Sequence, residues 1–147
     1  MTAPVAITET MTEPAAPASD QIIVFPNGLV GQPDWRRFLL LTPEDDATIQ
    51  VLQSIDDANL TLMVTDPGQI ISGFDVPLSR DDRALLDLGA DEQPMLLSTI
   101  SIHNNLVTTN LVGPLVVNSR SRIGTQLVIV DSPYSTRHPV TQLGGEE

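Results

Sequence analysis

Asp131, Ser132, Ser135 and His138 place the residue types of an acyl-transfer triad within one short stretch near the C-terminus. A hydroxyl attacks a carbonyl only when an imidazole takes its proton and a carboxylate holds that imidazole in place. The stretch has neither a nucleophile elbow nor a glycine-rich oxyanion sequence, so no catalytic residue is assigned. Ser132, Tyr134, Thr136, Arg137 and His138 read instead as a turn and polar contact surface; the plainer alternative packs Tyr134 on the last strand and lets Arg137 satisfy carbonyls. His103 and His138 are the only histidines, and neither has metal-ligand spacing with a carboxylate. Asp45-Asp46 and Asp56-Asp57-Ala58-Asn59 offer hard oxygen ligands without the rhythm of a calcium loop, and read as solvated turns or acidic protein contacts. Asn27-Gly28-Leu29-Val30-Gly31 lacks the Lys-Ser/Thr sequel of a phosphate cradle. No cofactor and no metal are expected.

Charge narrows the partner classes. Nineteen acidic residues against seven basic ones, all of them Arg, give a net charge of -12. Nucleic-acid binding needs a sustained basic footprint, so direct contact with RNA or DNA is disfavoured. An acidic surface suits a basic protein partner, although net charge also simply keeps a small protein dispersed. The absence of Cys excludes disulfides, thiol nucleophiles and Cys-ligated metals. No secretory signal or run of roughly 20 apolar residues occurs, so a cytoplasmic chain with no membrane contact is expected.

At 147 residues the chain has the size of one domain. Residues 1–19, rich in Thr, Ala, Pro and Glu, are expected to be a disordered leader, residues 20–141 the folded domain and residues 142–147 a frayed tail. Strands are expected at 21–25, 37–42, 48–54, 60–65, 95–102, 106–112 and 115–118, with 126–130 as the last strong one after a turn at 120–124. Alternation of Leu60, Leu62 and Val64 with Thr61, Met63 and Thr65 marks 48–65 as a hairpin. One helix is expected between Ser79 and Leu88, with a Ser79/Asp82 capping box, Leu85 and Leu88 on its apolar face and Gly89 in the left-handed position after it. Loops this short do not accommodate repeated βαβ crossovers. The fold class is therefore mainly β: an antiparallel barrel-like or strongly curved two-sheet fold with one short covering helix.

The loop from Asp66 to Asp75 joins a Pro-Gly turn to Ile70, Ile71, Gly73 and Phe74. It reads as an apolar patch rimmed by Asp66 and Asp75, or as a covered loop tucked under the helix. Trp35, Phe38 and Phe74 serve equally as interface anchors or core.

The order of motifs resembles the flagellar assembly factor FliW family over about residues 21–140. Phe25-Pro-Asn-Gly-Leu-Val-Gly31, Arg37-Phe-Leu-Leu40, Leu52-Gln-Ser-Ile-Asp-Asp57 and Val64-Thr-Asp-Pro67 look like its N-terminal motifs. Asn110-Leu-Val-Gly-Pro-Leu-Val-Val-Asn118 and Gln126 to Pro139, ending Asp-Ser-Pro-Tyr-Ser-Thr-Arg-His-Pro, look like its C-terminal ones. Ser119-Arg-Ser-Arg-Ile123, the lack of Lys and the Pro/Thr-rich leader depart from the family pattern. The resemblance implies a barrel-like β fold and a non-enzymatic, cytoplasmic antagonist of the CsrA dimer, the RNA-binding repressor of flagellin translation. It also implies sequestration by flagellin, and a free chain is expected to be monomeric. Asp56, Asp57, Asp66 and Asp75 are acidic interface candidates, Ile71 and Phe74 apolar anchors, and Arg137 and His138 specificity contacts, with Tyr134 a further protein-binding candidate. The alternatives are a binding or structural module for another cytosolic protein or small ligand, a direct RNA binder, and, more remotely, a hydrolase using Ser132 or His138.

Overall fold

The computed structural model describes residues 21–42 and 48–140. The leader at 1–19, the tail at 142–147 and the Glu44-Asp45-Asp46 turn lie outside the described residues. Nine strands follow in chain order: β1 (Ile22–Val24), β2 (Arg37–Leu41), β3 (Ile49–Ser54), β4 (Thr61–Thr65), β5 (Met95–His103), β6 (Leu106–Thr109), β7 (Leu115–Asn118), β8 (Ile123–Gln126) and β9 (His138–Pro139). Among the described residues a single α-helix, α1 (Arg80–Leu85), lies between β4 and β5. Strand order β4-β3-β2-β1-β8-β7-β5, with β5 pairing back to β4, closes a barrel, and β6 and β9 extend from β5. All neighbours are antiparallel except β1 and β8, which meet in parallel through Val24 and Ile123. Closure pairs most of the edges that so many apolar strands would otherwise expose.

The barrel fills with Ile23, Phe25, Phe38, Leu52, Val64 and Leu97, among others. Phe25 and Phe38 meet edge to face with ring centroids 5.8 Å apart, a geometry favoured by the aromatic quadrupole. Gly124 makes room for this pair: a Cβ there would lie 2.7 Å from the Phe25 ring. A second apolar layer packs outside the barrel, where Phe74, Val76, Leu86, Leu88, Leu111 and Val116 come together. β7 runs between the two layers, so all four of its residues are buried. A strand covered on both faces reads as the continuous run Leu115-Val-Val rather than as an alternation.

The hairpin at 48–65 forms with Leu52 opposite Leu62. Asn104 and Asn105, at φ 53 and 68, make the two-residue turn between β5 and β6, the backbone that matches strand twist. The capping box also forms: Ser79 Oγ accepts from Asp82 N, and Ser79 N donates to Asp82 Oδ2, both at 3.0 Å.

Three local expectations are corrected. The last strong strand is Ile123–Gln126, not 126–130, and the turn before it ends at Arg122. Its partner β7 begins at Leu115, directly after Pro114 and the Asn110–Pro114 excursion, so the regular ladder has nothing to pair with past Gln126. Only Leu127 N to Pro114 O, at 3.0 Å, and Ile129 N to Val112 O, at 2.8 Å, continue the contact. The left-handed residue after α1 is Asp87, with φ 55, and not Gly89. Leu88 N donates to Arg83 O at 2.8 Å and Asp87 N to Ala84 O at 3.1 Å, so the chain turns one residue after Leu86. Leu86, which is fully buried, takes the packing position expected of Leu85, which is half-buried.

Candidate protein-binding surface

Residues singled out in the sequence fall on three segments, the second and third of which meet through Phe74 and Tyr134. The first is the turn after β3. Arg37 holds Asp56 in an ion pair, with Nε also 3.3 Å from Asp56 Oδ2. The guanidinium lowers the Asp56 pKa below the usual carboxylate value, and Asp56 raises that of Arg37. Ser54 Oγ accepts from Asp56 N at 3.1 Å and Asp57 N at 3.0 Å, and Asp57 Oδ1 accepts from Asn59 N at 3.0 Å. Asp57 is exposed, and no cation contacts it among the described residues. Of the two carboxylates, Asp57 is therefore the one with free charge to offer.

The second place is the loop from Asp66 to Asp75. Asp66 Oδ1 caps the 3-10 turn Pro67–Gln69 by accepting from Gly68 N at 2.8 Å. Asp75 Oδ1 accepts from Val76 N at 2.9 Å. Both carboxylates remain exposed. The apolar side of the loop turns inwards: Phe74 is 8% exposed and Ile71 packs on the same outer layer. The covered-loop reading is the one the structure adopts, because Leu86 and Leu111 supply the apolar partners that the rings and methyls need. Tyr134 joins it, with its ring 5.5 Å from that of Phe74.

The third place is the C-terminal segment. Ser132 Oγ accepts from Tyr134 N at 3.1 Å, and Ser135 Oγ from Arg137 N at 2.9 Å. Both hydroxyls thus shape turns. His138 lies in β9 opposite Thr109, and no hydrogen bond joins it to Ser132, Ser135 or Asp131 among the described residues. Arg137 is exposed.

A polar clamp that the sequence reading missed ties the end of α1 to the turn after β7. Asn118 is 3% exposed. Its Nδ2 donates to Leu86 O at 2.9 Å and Asp87 O at 3.1 Å, and its Oδ1 accepts from Arg120 N at 2.9 Å. Ser121 Oγ also donates to Leu86 O, at 2.8 Å. Arg120 reaches Glu92 through Nε and Nη2, both at 2.8 Å. That guanidinium, then the Gly89 N–H, pulls the Glu92 pKa down to about 2. Arg83 lies in the last turn of this short helix, where a cation suits the dipole, and its Nη2 donates to Gly89 O at 2.6 Å and Glu92 O at 3.0 Å. The only sequence signal was an Asn closing a buried apolar run just before a Ser/Arg turn.

The geometry defines a closed β-barrel with exposed carboxylates on its turns. Comparison with known proteins gives the family. The FliW protein family matches residues 6–140, and this chain belongs to that family. It is 34% identical over 124 residues to the flagellar assembly factor FliW of Natranaerobius thermophilus, covering 82% of each chain. Against the FliW of Bacillus subtilis it is 31% identical over 129 residues, covering 86% of this chain and 88% of the relative. A crystal structure of the flagellar assembly factor FliW superposes with a TM-score of 0.76 at 23% identity, over 85% of this chain and 89% of the other. That likeness independently supports the barrel. Assembly factor is a non-enzymatic role. Among the described residues, no helix is long and apolar enough to cross a membrane.

Proposed function

We propose that this chain acts in flagellar assembly as a cytoplasmic protein antagonist of CsrA. By binding the CsrA dimer it relieves repression of flagellin mRNA, and flagellin in turn sequesters it. Family membership over residues 6–140 is the observation that carries this reading. The charge of -12 supports it, because a strongly acidic chain speeds encounter with a basic regulator and is repelled by RNA. Antagonism then works through a coupling free energy between two sites on the regulator rather than through phosphate mimicry.

Asp57, Asp66, Asp75 and Arg137 are the contact residues this reading favours, since all four are exposed. Asp56 contributes through its pair with Arg37. Ile71, Phe74 and Tyr134 hold the Asp66–Asp75 loop from beneath, and His138 fixes the C-terminal segment on β6. A mobility-shift titration tests the reading: added chain should release flagellin-leader RNA from the host's CsrA, and added flagellin should restore the RNA complex. A chain that itself shifts the RNA, or that leaves the CsrA–RNA complex intact, contradicts it.

A further inference from the structure

β4 and β5 separate after only two residue pairs, Val64 with Thr99 and Thr65 with Ser98. The same register would continue to Met63 with Ile100 and Thr61 with Ile102, but the strands splay before either pair forms. The neighbouring ladders show which main-chain groups are left facing the gap. Ser54 N donates to Leu60 O at 3.0 Å in the β3–β4 register. Hydrogen-bonded positions alternate along an antiparallel strand. Leu60, Leu62 and Val64 therefore direct their main-chain groups at β3, and Thr61 and Met63 direct theirs at β5. On β5, Asn110 N donates to Thr99 O at 3.1 Å in the β5–β6 register. Thr99 and Ser101 thus serve β6, while Ile100 and Ile102 face β4.

Four residues consequently turn main-chain N–H and C=O groups towards one another without a strand between them. A groove of about 480 Å³ opens at this place, lined by Thr61, Met63, Ile100 and Ser101, with Trp35 and Gln126 at its side. Gly28, at φ 70, bends the loop carrying Leu29, Val30 and Gln32 against the same groove. Unpaired strand edges accept an added strand through main-chain hydrogen bonds and read alternate side chains of the guest. Val30, 62% exposed, offers an apolar seat in the lining, and Ile102, 58% exposed, lies just beyond the lining residue Ser101 along β5.

We infer that this splayed seam receives an extended segment of a basic partner protein as an added strand. Charge selects the occupant. The lining is uncharged, but Asp34 lies between the lining residues Gln32 and Trp35, and Asp57 lies four residues before Thr61. Both are exposed and outside any ion pair among the described residues. Arg36, two residues from Asp34, keeps its positive charge while its Nε donates to Pro33 O at 2.9 Å, so the two carboxylates leave this surrounding with an excess of one negative charge. A guest segment flanked by Lys or Arg matches these ends. The inference rests on the proposed reading that the chain binds CsrA.

Residue-resolved amide exchange on the full chain, alone and saturated with the host's CsrA, tests it. The amides of Thr61, Met63, Ile100 and Ile102 should slow by about tenfold or more in the complex. Those of Leu62 and Ser101, already paired to β3 and β6, should change little. Met63→Pro removes a groove-facing N–H without touching the β3 ladder and should weaken binding about tenfold. Binding without slowing at the four amides overturns the groove and leaves the CsrA reading standing. Slowing with flagellin but not with CsrA overturns the choice of occupant, and no binding by a folded chain overturns both.

Discussion

Replacing Asn118 should cost this protein a large part of its stability, because one buried side chain there makes three close hydrogen bonds to main-chain groups and a longer one, at 3.4 Å, from Ser121 N. Its amide donates to Leu86 O and Asp87 O, at 2.9 and 3.1 Å, and accepts from Arg120 N at 2.9 Å. With each bond worth about 1 kcal/mol net, Asn118→Ala should lose about 3 kcal/mol. That is a large share of the roughly 5–15 kcal/mol that holds a domain together, and it corresponds to a fall in Tm of about 10 °C. Asn118→Asp is the sharper test. It keeps the acceptor for Arg120 but sets a carboxylate, 3% exposed at the parent position, against two carbonyl oxygens. Desolvation and the two facing carbonyl oxygens outweigh the Arg120 N–H and raise the pKa of such a carboxyl. The deficit relative to the parent should therefore be largest above the raised folded-state pKa, shrink as the pH falls through that value, and be smallest once the pH is below about 4, where the unfolded chain is protonated as well. Urea unfolding followed by the fluorescence of Trp35, the single tryptophan, reads both effects. An Asn118→Asp protein within about 0.5 kcal/mol of the parent at pH 7 would refute the assignment of Asn118 as a donor clamp.

Other perturbations give distinct outcomes. Gly124→Ala should destabilise by about 1–3 kcal/mol through overpacking against Phe25, seen as a lower urea midpoint with an unchanged slope. Ser79→Ala should cost about 1 kcal/mol by removing the α1 cap, measurable in the same assay. The Glu92 contribution is present above pH 4.5 and is lost as the pH falls towards about 2. An acid titration of Glu92→Gln should therefore show a shallower decline over that window than the parent. Asp57→Lys should weaken CsrA binding in calorimetry while leaving Tm within about 1–2 °C of the parent, as exposed turn charges add little to stability. Reversing Asp56 as well would confound that test by breaking the Arg37 pair.

Strand β4 was legible in the sequence because Leu60, Leu62 and Val64 all turn to the barrel core, although Thr65 on its other face is buried as well. The cap of α1 was legible because Ser79 and Asp82 satisfy the first amides locally. What escaped depended on contacts distant in the chain. Val128 and Val130 look like strand residues, but the chain leaves the ladder at Gln126 because Pro114 and its excursion stand opposite. Phe74 reads equally as patch or core until Leu111 is brought against it. The parallel join of Val24 to Ile123 is a single pair and leaves no pattern. Among candidate site residues, residue types alone did not separate Asp56 from Asp57; the Arg37 pair, nineteen positions away, does. The groove escaped as well, since strand register determines which amides of β4 and β5 lack a partner.

Calorimetric titration of this chain into the host's CsrA, repeated with flagellin present, tests the central claim most directly. The account predicts tight binding that weakens with ionic strength and is abolished by saturating flagellin. A folded chain that evolves no heat of binding with CsrA, or binds it equally well when flagellin is in excess, would contradict it.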